Sequence, residues 1–223
     1  KIINYSKSRE IPGKLIETNR IARELIKKGE KVLIWCWSIS NIALLETQLL
    51  KDLHPIVIHG GISKDPNVIG NREKLIKDFK EDPNPRILIA SVSALSESVS
   101  LHINIEIIDG KEVKTKVCSN AIYVERNYNG AQFMQSMDRI HRLGMDNNTE
   151  VEYHCLISKN TIDKKIHDRL GTKYSEMGDA LDDPWIRQLD YDGNEKTINE
   201  AQLEKDFQSL VEHLRELDGS NNS

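Results

Sequence analysis

The 223-residue sequence contains no apolar run that approaches the ~20 residues of a membrane-spanning helix. No signal-peptide pattern opens it. Its three cysteines, Cys36, Cys118 and Cys155, lie far apart and form no C-x-x-C pair. That spacing argues against a metal site and for buried, reduced thiols, as expected in a reducing cytoplasm. The histidines, His102 among them, form no metal-ligand cluster. There is no surplus of positive charge: the formal net charge is -4. Bulk charge therefore does not advertise nucleic-acid binding, although a local basic groove stays possible. Two phosphate-handling motifs are also missing. The chain carries neither a G-x-x-x-x-G-K-[ST] loop nor a D-E-x-H. It has no internal repeat and no low-complexity tract. It begins on Lys1-Ile2-Ile3-Asn4 without an initiator Met, and reads as part of something longer.

What is present suits a soluble globular protein, with 38% hydrophobic and 30% charged residues. Five short apolar runs read as strands: KVLIWCWS (31–38), PIVIHG (55–60), RILIASV (86–92), AIYVER (121–126) and VEYHCLIS (151–158). Most are continuous rather than alternating, as expected of parallel strands covered on both faces. Helical patterns lie between them. Residues 13–28 carry Leu15, Ile16, Ile21, Ala22, Leu25 and Ile26 before Gly29. Residues 41–53 place Ile42, Leu45, Leu49 and Leu53 at helical spacing, and 72–80 carry Leu75, Ile76 and Phe79 before two prolines. A fourth helix is predicted over 129–143. Strand and helix alternate, so the expected class is α/β with a mostly parallel central sheet.

Two segments break this rhythm. Residues 103–117 carry Asp109-Gly110 between two β-prone arms, a hairpin signal lodged between core strands. Lys111, Lys114 and Lys116 of that insert could reach DNA, but a solvated insert is the plainer reading. After about residue 171 the core pattern stops. The expected division is a domain over 1–171, then a polar linker, an amphipathic brace-like helix over 198–217 and a disordered tail within 172–223.

The segment QSMDRIHRLGM (135–145) concentrates the chemistry. On a helical wheel Gln135, Arg139 and Arg142 fall within roughly 60° of one another, opposite Phe133, Met137 and Ile140. Guanidinium forks in that array match phosphate oxygens. The helix follows AIYVER, so its start lies at the carboxyl edge of the sheet, where open α/β sheets bind ligands. The Ser-rich loop SVSALSESVSLH (91–102) and the HGG loop (59–61) open at the same edge. Their hydroxyls and backbone N–H groups suit phosphate as well.

In order and content these segments resemble the C-terminal RecA-like lobe of superfamily-two helicases of the Swi/Snf type, over about residues 14–171. KVLIWCWSISNIALLETQL looks like motif IV. ILIASVSALSESVSLH looks like the stretch that includes motif V, and QSMDRIHRLGM looks like motif VI. The resemblance implies a three-layer lobe of a DNA-dependent ATPase that translocates on duplex DNA. It makes Arg139 and Arg142 the catalytic arginine fingers for ATP held by a separate N-terminal lobe. It places Gln135, Glu97 and Ser98 near the nucleotide, and His59, Gly60, Arg72, Ser91, Ser93 and Asn127 along the nucleic acid. ATP and Mg²⁺ are implied for the full-length protein, with none bound by this lobe alone. The implied partners are DNA and the N-terminal lobe, with no membrane, no metal site of its own and a monomeric state for the isolated chain.

The sequence departs from the family pattern in motif V. Leu95, Ser96 and Ser98 stand where glycines are usual, and Ser100 where Asn is usual. Tyr128 replaces the Trp of the W-N-P turn, and Met145 replaces the last Gln of motif VI. A degenerate, non-catalytic module that binds nucleic acid or a partner is the alternative. A Rossmann-like enzyme of another kind, such as a nucleotide-sugar transferase, is disfavoured because the Gly-rich fingerprint is missing.

Overall fold

The computed structural model describes residues 10–84, 86–95, 99–141 and 150–181. The expected helix over 198–217 and the tail lie outside the described residues. The described chain divides into two compact units, one of residues 11–157 and one that begins again at Ser158.

The larger unit opens with helix α1 (Gly13–Lys27), which buries Leu15, Ile21, Ala22 and Leu25 on one stripe. Ile16, expected to be apolar core, is instead more than half exposed. Gly29 ends the helix at φ 83, and its N–H and that of Glu30 close back on the Ile26 and Leu25 carbonyls. Only glycine takes that left-handed turn without strain. Strand β1 (Val32–Trp35) follows, then helix α2 (Ile39–Leu44) and a wider turn over Leu45–Leu49. In that turn the Leu50 N–H reaches the Leu45 carbonyl, five residues back. The wider turn slips the helical register by one residue. Leu50 therefore becomes fully buried where Leu49 was expected.

Strand β2 (Ile56–Ile58), helix α3 (Arg72–Glu81), strand β3 (Ile87–Ala90), strands β4 (Ile103–Ile108) and β5 (Lys111–Lys116), strand β6 (Asn120–Tyr123), helix α4 (Gly130–Met137) and strand β7 (Glu152–Cys155) complete the unit. The five strands expected in the core form one sheet in the order β2-β3-β1-β6-β7, and every pairing is parallel. Alternate residues serve opposite faces. Val32, Ile34, Ile87, Ile89 and Ile122 join α1 and α2 in one apolar cluster. On the other face Tyr123 packs edge-on against Phe133 of α4, with Trp35 and Tyr153 as aromatic neighbours. Helices on both faces of a parallel sheet give the three-layer RecA-like architecture that the alternating pattern implies.

Helix α4 is shorter than the expected 129–143. Its N-terminus is capped by Asn129, whose Oδ1 accepts from the Gln132 N–H. Near its other end Ser136 donates to the Phe133 carbonyl at 2.6 Å, and its Oγ lies 2.8 Å from the buried Tyr123 hydroxyl. Back-bonding of this kind competes with the helical ladder. The helix stops at Met137, and the next residues turn away.

Among the described residues, strands β4 and β5 pair only with each other, in register Ile103↔Lys116 through Ile108↔Lys111. Asp109 (φ 50) and Gly110 (φ 75) make the turn, as the Asp-Gly signal implied. The ribbon leaves the sheet at the amino ends of β1, β3 and β6, where Glu30, Asp82, Asn84 and Lys116 border a shared cleft.

The second unit contains helix α5 (Ile162–Leu181). Thr161 accepts from the Asp163 N–H, and Asp163 reaches back to the Ser158 N–H. The core pattern was expected to stop near 171, yet α5 runs ten residues further. Its polar last turns keep the helical spacing even where they carry few apolar residues.

Candidate functional site at the carboxyl edge of the sheet

Strands β1, β2, β3 and β6 all end at one edge, and each passes into a polar connection. The site is built from how those connections hold one another.

The β2 connection begins with His59, whose Nδ1 accepts from the Gly61 N–H at 3.0 Å. A Cβ on residue 61 would lie 2.9 Å from the imidazole Cε1, so glycine is what lets the ring fold over the turn. The β3 connection begins with Ser91, whose N–H donates to the Ile58 carbonyl. Ser91 and Ser93 hydroxyls stand 3.5 Å apart, and the Ala94 and Leu95 N–H groups both fold onto the Ser91 carbonyl. Arg72, at the start of α3, donates to the carbonyls of Gly60, Ile62 and Ala94. Arg72 thus ties the connection that carries His59 and Gly60 to the one that carries Ser91 and Ser93.

Leu95 sits where the family pattern carries glycine. It is 2% exposed, with Ala94 beside it at 5%. The larger side chain is accommodated by turning into the core. Ser100, in the place of the usual Asn, meets the Nδ1 of buried His102 at 2.6 Å.

The segment after α4 meets the far end of the Ser-rich connection. Gln135 lies exposed on that helix. Arg139 lies in the turns that follow that helix, where its N–H donates to the Ser136 carbonyl. Arg139 is only 6% exposed, and its Nη1 lies 3.4 Å from the Val99 carbonyl. Its own carbonyl accepts from the Leu101 N–H at 2.7 Å. The wheel of Gln135, Arg139 and Arg142 therefore gives way to an exposed Gln and a buried Arg tied to the Ser-rich segment. Arg142, Glu97 and Ser98 lie outside the described residues, as do Ser96 and Met145.

Asn127 stands apart from the other nucleic-acid candidates. Its Nδ2 donates to Gln132 and its Oδ1 accepts from the Asn129 N–H, so the side chain shapes the entry to α4.

One residue escaped the sequence reading. Glu125, just past β6, accepts from the N–H groups of Trp37 (2.9 Å) and Ser38 (2.7 Å), and from Asn41 at 2.7 Å. Its carboxylate occupies the N-terminus of α2, where the helix dipole favours negative charge. Ser38, the local candidate for a cap, makes no side-chain capping bond. No local signal could have found this contact, because the partners are more than eighty residues apart. The same carboxylate and burial push the neighbouring Cys36 thiol well above its ordinary range. Burial likewise pushes Cys118 up to about 12, so both stay protonated and poorly nucleophilic near neutrality.

Residues 17–144 match the family model described as the helicase conserved C-terminal domain. The chain belongs to that family. Lymphoid-specific helicase of Homo sapiens is 27% identical to it across 92% of this chain and 22% of its own length. Chromatin-remodeling ATPase INO80 of Mycosarcoma maydis is 30% identical across 76% of this chain and 8% of its own length. The crystal structure of the C-terminal part of the Fun30 ATPase domain aligns with a TM-score of 0.55 at 26% identity, over 71% of this chain and 45% of that one. The chain thus spans less than a quarter of these two curated relatives. It is a helicase C-terminal lobe of the Swi/Snf type.

Proposed function

We propose that this chain is the C-terminal motor lobe of an ATP-dependent translocase that moves on duplex DNA. The observation that carries the reading is the bond between its two motif segments. The Leu101 N–H donates to the Arg139 carbonyl at 2.7 Å, and the Arg139 guanidinium reaches the Val99 carbonyl at 3.4 Å. A displacement of the motif VI segment is therefore passed directly to the motif V segment. That is the mechanical link a nucleotide-driven DNA motor requires.

In this reading Arg139 and Arg142 face ATP bound by an N-terminal lobe and neutralise charge that develops as the γ-phosphoryl leaves. Gln135, Glu97 and Ser98 complete the nucleotide side. His59, Gly60, Ser91 and Ser93 belong to the connections assigned to the DNA side, where polar groups suit phosphate. Mg²⁺ belongs with ATP on the N-terminal lobe. The chain alone, without a phosphate loop among its residues, hydrolyses ATP negligibly. Free, buried thiols suit a reducing compartment such as the cytoplasm.

ATP turnover by the full-length protein, measured with and without duplex DNA, tests the proposal. DNA should raise turnover at least tenfold. Equal turnover in both conditions would favour the second reading, a non-catalytic docking module. Buried Leu95 in place of a motif V glycine is the feature that favours that alternative.

A further inference from the structure

The connections after β2 and β3 are thirty residues apart in sequence and meet on one side chain. Arg72 donates from Nε to the Ile62 carbonyl at 3.0 Å, from Nη1 to the Ala94 carbonyl at 3.0 Å and from Nη2 to the Gly60 carbonyl at 3.4 Å. Its backbone N–H donates to the Ser63 carbonyl at 3.0 Å. The neighbouring Asn71, itself buried, braces the same connection. Its Nδ2 donates to the Pro66 and Val68 carbonyls, while its Oδ1 caps α3 at the Lys74 N–H. A guanidinium offers rigid donors in three directions from one plane, and no other side chain does.

The family resemblance places Arg72 among the groups that touch nucleic acid. The geometry points to a different task. We propose that Arg72 is a positioning residue: it latches the 59–63 and 91–95 connections into one body, so that both face DNA in a fixed register. Three of its donors are directed into backbone carbonyls, and one of those belongs to Ala94 in the buried part of the motif V segment. Turning the fork toward a phosphate would leave those carbonyls without their donor. The latch also accounts for the tolerance of Leu95. Where glycines would leave this segment loose, a buried leucine and an external guanidinium hold it stiff. The inference rests on reading the carboxyl edge as the DNA face.

The test compares wild type, Arg72→Ala and Arg72→Lys in the full-length protein by two measurements. The first is hydrogen exchange at the Ile62 and Ala94 amides, which bond to the His59 and Ser91 carbonyls. Both should exchange about tenfold faster in Arg72→Ala, while amides of β1 and β3 keep their protection and report an intact core. Arg72→Lys should fail to restore them, because one ammonium cannot span three carbonyls. The second measurement is the salt dependence of duplex binding. Its log–log slope should be the same in all three proteins. A slope reduced by about one in Arg72→Ala, or exchange at Ala94 that does not change, would overturn the latch. Recovery of wild-type affinity by Arg72→Lys would also overturn it, since lysine serves a phosphate as a point charge. If wild type does not bind duplex at all, the DNA-face reading falls, and the exchange data still decide whether the latch exists.

Discussion

The chain leaves β3 as a tied segment and becomes an exposed one within fifteen residues. Between Ser91 and Leu101 it is fastened to the rest of the unit through Ile58, Arg72 and Arg139. From Ile103 to Lys116 it forms a ribbon that pairs only with itself, with Ile105 at 51% and Ile107 at 77% exposure. The first stretch stands at the carboxyl edge of the sheet, and the second leaves from the amino edge. The ribbon's lysines are matched by Glu106, Asp109 and Glu112, and Lys116 pairs with Glu30 at 3.3 Å. The contrast separates two demands on the sequence. On the proposed reading, the segment that transmits movement is the one held by buried polar bonds. A segment that carries no such duty can be inserted at the far edge with little effect on the core.

Substitutions on the two sides should differ accordingly. The largest loss of stability is expected in the sheet itself. Ile34, fully buried in the central strand, is predicted to cost about 2–5 kcal/mol as Ile34→Ala in urea unfolding. A loss under about 1 kcal/mol would mean that the cluster between α1, α2 and the sheet is looser than its burial implies.

Glu125→Gln comes next. It removes the charge that holds the Trp37 and Ser38 N–H groups and the Asn41 amide. The expected cost is about 1–3 kcal/mol in unfolding free energy, the range for hydrogen bonds to a charged group. No change in melting behaviour would show that water replaces the carboxylate freely.

Cys118 gives an effect confined to a defined alkaline pH window and absent near neutrality. Its thiol lies near 9 ordinarily and is pushed up to about 12 in the fold by burial. The unfolded chain therefore ionises first as pH rises. Stability linked to Cys118 is complete below about pH 9 and is lost progressively toward pH 12, by at most about 1.4 kcal/mol per pH unit. Urea unfolding across that window should show a shallower decline for Cys118→Ala than for wild type. Parallel declines would place the thiol in water.

The smallest effect belongs to the ribbon. Ile107→Thr should move stability by no more than about 0.5 kcal/mol, the usual range for surface positions. A larger loss would bring the ribbon into the folded core and erase the contrast.

Much of this plan is legible in the sequence. Continuous runs such as RILIA and AIYV announce buried parallel strands, and Asp109-Gly110 announces the turn of the ribbon. These are local properties, fixed by burial on both faces and by backbone preference. The features that were missed depend on contacts between distant residues. The end of α4 follows from Ser136 beside Tyr123, and the burial of Leu50 in place of Leu49 follows from the wide turn after α2. Glu125 capping α2 and Arg139 turning toward Val99 belong to the same group. The meeting of the HGG and Ser-rich connections at one edge could be argued from strand order, whereas Arg72 entered only through the family resemblance. What Arg72 does there could not be argued that way, because its carbonyl partners appear only once the two connections are side by side.

The central claim is that the motif VI arginines serve a nucleotide on another lobe. Single-turnover ATP hydrolysis by the full-length protein on saturating duplex DNA tests it most directly. Arg142→Ala should lower the rate by about 10³, the scale of an arginine finger, with nucleotide affinity changed far less. A rate within a few-fold of wild type would contradict the account.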